Sequence, residues 1–246
     1  AGALTINKVC GSGMQALIFG AQAIALGDRD IIVAGGMESM TNAPYLLKKH
    51  RSGARIGHDT AYDHMFLDGL EDAYEEGRAM GSFAQCTADE YQLTRENMDE
   101  FTLASLTRAK SAIESGAFKD EIVAVPIPQK KGDPIVFAAD EFINKKTSAI
   151  EKLLKKAGWS VADVDLWEVN EAFACVAMFA MKDLGIPHDK INVNGGATAL
   201  GHPIGASGTR ILVTLVNALK HKGLKRGVAS LCIGGGEATA VAVELI

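Results

Sequence analysis

Two stretches of this chain spell the same features in the same order, and that repeat constrains the fold more than anything else in it. Cys10-Gly11-Ser12-Gly13 opens a helical pattern that leads to an apolar run and then to Gly35-Gly36-Met37-Glu38. Gly205-Ala206-Ser207-Gly208 opens another, again followed by an apolar run and then by Gly234-Gly235-Gly236-Glu237. Ser12 to Glu38 spans 26 positions and Ser207 to Glu237 spans 30. A helix begun by small residues, a buried strand and a glycine turn, written twice, predicts a duplicated α/β unit.

The rest of the chain fits around those two units. Met14, Leu17, Ile18, Ala21, Ile24 and Ala25 recur at helical spacing, Gly27 stops the pattern, and Ile31–Ala34 reads as a buried strand. From about Thr41 to Glu90 there is scattered glycine, mixed charge and no long period, which predicts a loop-rich insertion. Thr94 can cap a helix running to about Ser115 and ending at Gly116. Pro126 to Lys146 is short of regular structure; a helix follows over Ser148–Ala157, then a strand over Leu166–Val169, a helix over Glu171–Leu184 and a strand over Ile191–Val193. A helix within Gly205–Lys222 leads to strands Val228–Cys232 and Ala238–Leu245.

Composition excludes several classes. Apolar residues form 48% of the 246 and charged residues 22%, which is globular rather than disordered. A net charge of −5 offers no basic stripe to a nucleic-acid backbone and no polybasic segment to an anionic membrane. The longest apolar runs, such as Phe173–Met181, are too short to span a bilayer. Cysteines at 10, 86, 175 and 232 are too far apart in sequence for adjacent-ligand metal spacing, and they suit a reducing compartment.

Four positions have chemistry in a telling context. Cys10 stands at a helix start, where free amide N–H groups and the positive dipole end favour a thiolate; a buried structural cysteine fits that local context equally well. His202, between Gly201 and Pro203, is held by a stiff backbone and can act as a general base, or can simply bond its own loop. Cys232 closes a strand ahead of three glycines whose N–H groups can face a cavity, as an oxyanion hole requires, or it is a small apolar filler at a strand end before an ordinary hairpin. Asn170 follows an apolar run, and on propensity alone it reads as the cap of the next helix.

Six segments together resemble the signatures of the thiolase family. They are Asn7-Lys8-Val9-Cys10-Gly11-Ser12-Gly13, Gly35-Gly36-Met37-Glu38-Ser39-Met40, Val169-Asn170-Glu171-Ala172-Phe173-Ala174, Asn192-Val193-Asn194-Gly195-Gly196, Gly201-His202-Pro203-Ile204-Gly205-Ala206-Ser207-Gly208 and Cys232-Ile233-Gly234-Gly235-Gly236. They occur in the family's order along the whole chain. The resemblance implies a ping-pong Claisen condensation of two acetyl-CoA to acetoacetyl-CoA and CoA, or the reverse thiolysis. It makes Cys10 the acyl-accepting nucleophile, His202 its base, and Cys232 the group that moves the α-proton. Asn170, with His202, helps to form one oxyanion hole, and the N–H groups of Cys10 and Gly234 form the other. Leu70 and Met80 fall where the family lines its pantetheine tunnel, and Ala172 and Phe173 where it flanks the acyl group. Ala79 stands where many acetoacetyl-CoA thiolases have a histidine, which leaves longer 3-ketoacyl-CoA substrates as the alternative; a non-catalytic acyl-CoA or lipid carrier is the alternative from another class.

The implied fold is α/β: duplicated halves in a layered αβαβα arrangement with an inserted loop domain. The expected division is 1–40 and 99–145 for the first half, 41–98 for the domain covering coenzyme A, and 146–246 for the second half. The family also implies strand–helix units ahead of the nucleophile and a longer stretch near Asn144–Thr147, so the first sheet is expected to lack central strands. No metal or redox cofactor is implied, since coenzyme A thioesters are substrates. The family implies a homodimer or homotetramer, and a bacterial-type cytoplasmic location with an organelle as the alternative.

Overall fold

A computed structural model of the chain describes residues 2–140 and 158–246. The helix expected over Ser148–Ala157 and the junction expected near Asn144–Thr147 lie outside the described residues.

The second half is built on one three-stranded sheet. β5 (Leu166–Val169) runs parallel to β6 (Arg226–Ile233), which pairs antiparallel with β7 (Glu237–Glu244) through register partners from Arg226↔Glu244 to Ile233↔Glu237. β5 and β6 are largely apolar on both faces, as strands clothed by helices are, with Glu168 and Ser230 the buried polar exceptions. Trp167, Val169 and Val228 pack on one side with Ala174 and Ala177 of α4 (Ala174–Leu184) and with Phe101 of α3 (Arg95–Ser115). Leu166, Ala229 and Leu231 pack on the other with Ile211, Leu215 and Leu219 of α6 (Ile204–Lys222). Each of those fully buried leucines contributes about 2 kcal/mol of transfer free energy.

α6 in turn lies against α1 (Ser12–Ala25), and small residues set how closely they approach. A methyl group at Gly208 would intrude on the Met14 backbone. One at Gly13 would come within 2.6 Å of Thr209 Oγ1, and one at Gly36 would land on the carbonyl oxygen of Gly205. The repeated small-residue steps are therefore the places where the two halves touch. Glu38 adds a polar link: its Oε2 accepts from the Gly205 amide at 3.1 Å, near the start of α6.

Several boundaries follow their sequence signals. Thr94 Oγ1 accepts from the Asn97 amide and Asn97 Oδ1 from the Thr94 amide, both at 3.2 Å, so α3 begins with a reciprocal cap, and Gly116 ends it with φ 74°. Other boundaries differ. α4 starts at Ala174, with the extended Phe173 and not Asn170 as its N-cap. The expected strand Ile191–Val193 is reduced to one parallel bridge, Trp167↔Ile191. The insertion contains β1 (Tyr45–Leu46) paired with β2 (Tyr62–Asp63), a π-helical turn Phe66–Leu70, and α2 (Met80–Glu90), which the absence of a hydrophobic period concealed. A hairpin of β3 (Val125–Ile127) and β4 (Ile135–Phe137) follows α3, where no strands were expected.

Ile31–Ala34 departs most from expectation. Among the described residues it pairs with no strand. Ile32 and Ala34 rest on Gly20 of α1, while Ile31 and Val33 are 86% and 98% exposed. The alternation is that of a strand with its inner face covered and its outer face bare.

Candidate active site

The site lies where the two helix starts meet the end of the sheet. Cys10 is buried, two residues before α1, in a turn whose preceding residue Val9 has φ 47°. A β-branched residue in the left-handed region costs about 1–3 kcal/mol and must be held there. Three hydrogen bonds hold it: Asn7 Oδ1 accepts from the Val9 amide at 2.9 Å, the Lys8 amide donates to Ser12 Oγ at 2.8 Å, and Ser12 Oγ donates to the Val9 carbonyl at 2.7 Å. At Gly11 a methyl group would meet the Ile233 side chain at the end of β6, so the glycine lets the two approach closely.

Gly234 follows β6, and its amide donates toward the Cys10 sulfur together with the Cys10 amide itself. Burial nevertheless outweighs these donors and pushes the Cys10 thiol up. The helix start therefore does not hold Cys10 as a resting thiolate, and a base is needed to ionise it. Gly235 and Gly236, with φ 90° and 78°, make the turn that carries the Gly234 amide inward. Cys232, on β6 opposite Ala238, has its thiol pushed up to about 12, by burial first and then by the nearby Cys10.

Asn170 directly follows β5, fully buried, with its backbone amide donating to the Ser230 carbonyl at 2.8 Å and its Nδ2 3.5 Å from His202 Nδ1. His202 follows Gly201 (φ 90°) and precedes Pro203, the N-cap of α6. Its Nδ1 lies 2.6 Å from Ser207 Oγ, and its Nε2 is buried with no hydrogen-bond partner among the described residues. Burial, helped by the Arg210 charge, pulls the imidazole down to about 4, so it rests neutral and can accept a proton.

Of the four residues expected to meet the substrate, Met80 and Leu70 lie on the roof. A methyl group at Gly234 would sit 3.7 Å from Met80 Sδ and 3.7 Å from the Gly69 carbonyl, and Leu70 packs against the cluster that contains Cys10. Phe173 packs across Gly81, at the start of α2. Ala172 lies in the turn between Asn170 and Phe173, its amide donating to the Asn170 carbonyl at 2.8 Å. A cavity of about 80 Å³ adjoins this roof, bounded by Val9, Met40, Gly69 and Ile204 with Glu38 and His64.

The supporting polar network was not legible as such in the sequence. Glu171 is buried, with Oε1 accepting from Asn192 Nδ2 at 2.7 Å and Oε2 accepting from Ser105 Oγ and the Thr198 amide, both at 2.8 Å. Asn192 also clasps both backbone groups of Val169, accepting at 2.8 Å and donating at 2.9 Å. This cluster fixes the end of β5, and so Asn170, against the loop and α5 (Ala197–Leu200) that lead to His202. The only available signal was that Glu171, Asn192 and Gly196 fall inside the resembling segments.

Comparison with known proteins is consistent along the chain. Residues 1–162 match the family described as thiolase, N-terminal domain, and residues 136–245 match thiolase, C-terminal domain. An acetyl-CoA acetyltransferase of Chromobacterium violaceum is 42% identical over 312 aligned positions, covering 98% of this chain and 79% of the relative. With 246 residues here, at least 66 of those positions have no counterpart in this chain. Among solved structures, a Bacillus anthracis acetyl-CoA acetyltransferase matches with TM-score 0.89 at 33% identity, covering 98% of this chain and 78% of that one. Human mitochondrial 3-ketoacyl-CoA thiolase matches with TM-score 0.91 at 30% identity, covering all of this chain and 79% of that one.

Proposed function

The chain belongs to the thiolase family, and from that premise we propose that it is an acyl-CoA C-acyltransferase that condenses two acetyl-CoA to acetoacetyl-CoA and CoA, or runs the reverse thiolysis, through an acyl group on Cys10. The observation that carries the reading is that the Cys10 sulfur receives the Gly234 amide and lies close enough to Cys232 to raise its hold on a proton.

The proton balance follows from the two thiols and the imidazole. His202 Nε2 takes the Cys10 proton, the Cys10 thiolate attacks the thioester carbonyl, and the amides of Cys10 and Gly234 meet the charge that develops on its oxygen. Cys232, a thiol at rest because it is pushed up to about 12, gives its proton to the departing CoA sulfur. It is left as a strong base, able to take the α-proton of a second acetyl-CoA while His202 and Asn170 receive the enolate oxygen. The enolate carbon attacks the acyl carbonyl, the C–S bond breaks, and the Cys10 thiolate recovers its proton from the imidazolium. Protons and bonds close over the cycle.

Mass spectrometry of the folded protein after exposure to acetyl-CoA tests this. An acetyl group on the Cys10 peptide, with acetoacetyl-CoA in solution, is expected; an unmodified Cys10 sinks the reading in favour of a non-catalytic carrier. Longer 3-ketoacyl-CoA substrates form the second reading, favoured by the likeness to human mitochondrial 3-ketoacyl-CoA thiolase and by Ala79 preceding Met80. Comparing rates with acetoacetyl-CoA and a long-chain 3-ketoacyl-CoA separates the two. The exposed apolar side chains of Leu4 and Met37 support an assembly, a homodimer or homotetramer, which light scattering would measure. A bacterial-type cytoplasmic location fits the bacterial relatives, and among the described residues no helix is long and apolar enough to cross a membrane.

A further inference from the structure

Ser207 is one of the small residues at the start of α6, and packing alone would explain its burial; its hydroxyl does more. Oγ has two short contacts, 2.6 Å to His202 Nδ1 and 3.0 Å to the Pro203 carbonyl oxygen, and the residue is 1% exposed. A carbonyl oxygen can only accept, so the single hydroxyl proton decides the rest. If it pointed at Nδ1, two oxygens would face each other at 3.0 Å with no hydrogen between them. If it points at Pro203, both contacts become hydrogen bonds, and the second requires a proton on Nδ1. The other nitrogen gives the same answer. Nε2 is buried without a partner among the described residues, and an N–H there would be a stranded donor, whereas a bare lone pair is what can receive a proton.

We propose that Ser207 is a positioning residue that fixes His202 as the Nδ1–H tautomer, so that the Nε2 lone pair is the one offered to the Cys10 thiol. The relay runs from Nδ1–H to Ser207 Oγ and from Oγ–H to the Pro203 carbonyl, and it survives proton transfer unchanged: the imidazolium formed at Nε2 keeps its Nδ1–H on Oγ. Asn170 Nδ2, 3.5 Å from Nδ1, then has no lone pair to donate to on that nitrogen.

The inference rests on the acyl-transfer reading but fails separately from it. In the unmutated full chain labelled with ¹⁵N-histidine, long-range proton–nitrogen correlation should show His202 protonated at Nδ1 and bare at Nε2, with the signal assigned by its loss in His202→Gln. The opposite tautomer overturns the proposal even if Cys10 is acetylated normally, whereas failure of acetylation with the expected tautomer overturns only the reading beneath it. In Ser207→Ala, acetylation of Cys10 by saturating acetyl-CoA should slow roughly 10- to 100-fold, the loss seen when the hydrogen-bonded partner of a metal-bound histidine is removed. The half-saturating concentration should change little and the Nε2–H tautomer should appear. A Ser207→Ala protein that keeps the Nδ1–H tautomer and acetylates within about threefold of the parent sinks the idea. If that variant does not fold, the tautomer of the unmutated protein decides alone.

Discussion

The two copies of the repeated unit share an order of features and end in different surroundings. In the second copy, Val228–Leu231 runs fully buried between β5 and β7, clothed by helices on both faces. In the first, Ile31–Ala34 follows α1 just as β6 follows α6, yet its outer side chains stand in solvent. The apolar pattern is present in both; among the described residues, paired neighbours are present in one. Alternation makes a segment competent to be a strand, but only adjoining backbone satisfies its N–H and C=O groups. The site escapes this asymmetry because it depends on the two helix starts, which pack against each other, and on the β6–β7 turn, which joins two paired strands.

Removing the proposed nucleophile should give the largest effect. Cys10→Ala should reduce acyl transfer by about 10⁴-fold or more, since losing a covalent nucleophile removes the route itself. Thermal unfolding should stay close to the parent's, because the alanine only removes a sulfur atom beside α1. A fall in stability as large as the fall in rate would mean that the first copy's helix start is structural, and that the site does not straddle the two copies.

Next comes the contact between the copies. In Gly36→Ala the new methyl group meets the Gly205 carbonyl and lies 3.0 Å from the Gly13 Cα, backbone that cannot swing aside. We expect a loss of about 3 kcal/mol or more in chemical denaturation. Gly234→Ala is the control, since its methyl group would find ordinary contacts from 3.7 Å outward; it should change the reaction more than the stability. Equal stability losses in the two variants would break the claim that the repeated small residues are inter-half contacts.

Those two positions also show what could be read from sequence. The helices starting at Ser12 and Ile204, the Thr94 cap and the Gly116 stop were legible because their signals are local: periodicity, a capping side chain, a left-handed glycine. α2 was not, because it buries only Ala88 and its stability comes from neighbours. Cys10, Asn170, His202 and Cys232 stood out only as members of a constellation, each having a plain local alternative. Glu171 and Asn192 stayed hidden because nothing local marks a polar residue as buried: their partners Ser105 and Thr198 are distant in sequence. Val9 gave no signal at all, since a β-branched residue is the last one expected at φ 47°.

A pH series should give the third effect. His202 rests at about 4 when folded, against 6.5 as its ordinary value. Between those values the unfolded chain binds more protons, so this contribution is complete above pH 6.5 and lost as pH falls toward 4, on the order of 3 kcal/mol at the limit. The difference between parent and His202→Gln isolates it from the other acids: the parent's denaturation midpoint should fall more steeply over that window. Parallel curves would mean that His202 is open to water, and the second copy would lose its claim to a sealed site.

The smallest effect bears most directly on the comparison. Val33 and Val228 hold corresponding places in the two copies, at 98% and 0% exposure. Val→Thr keeps the β-branched shape and adds a hydroxyl. At 228 that hydroxyl is buried among Trp167, Ala177 and Ile191, and should cost about 1–3 kcal/mol. At 33 it faces water and should shift stability by no more than about 0.5 kcal/mol. Because shape and strand preference are held constant, the difference between the variants measures what a covering layer does for a strand. If Val33→Thr costs as much as Val228→Thr in solution, the outer face of Ile31–Ala34 is covered in the working protein, and the asymmetry belongs to the isolated chain alone.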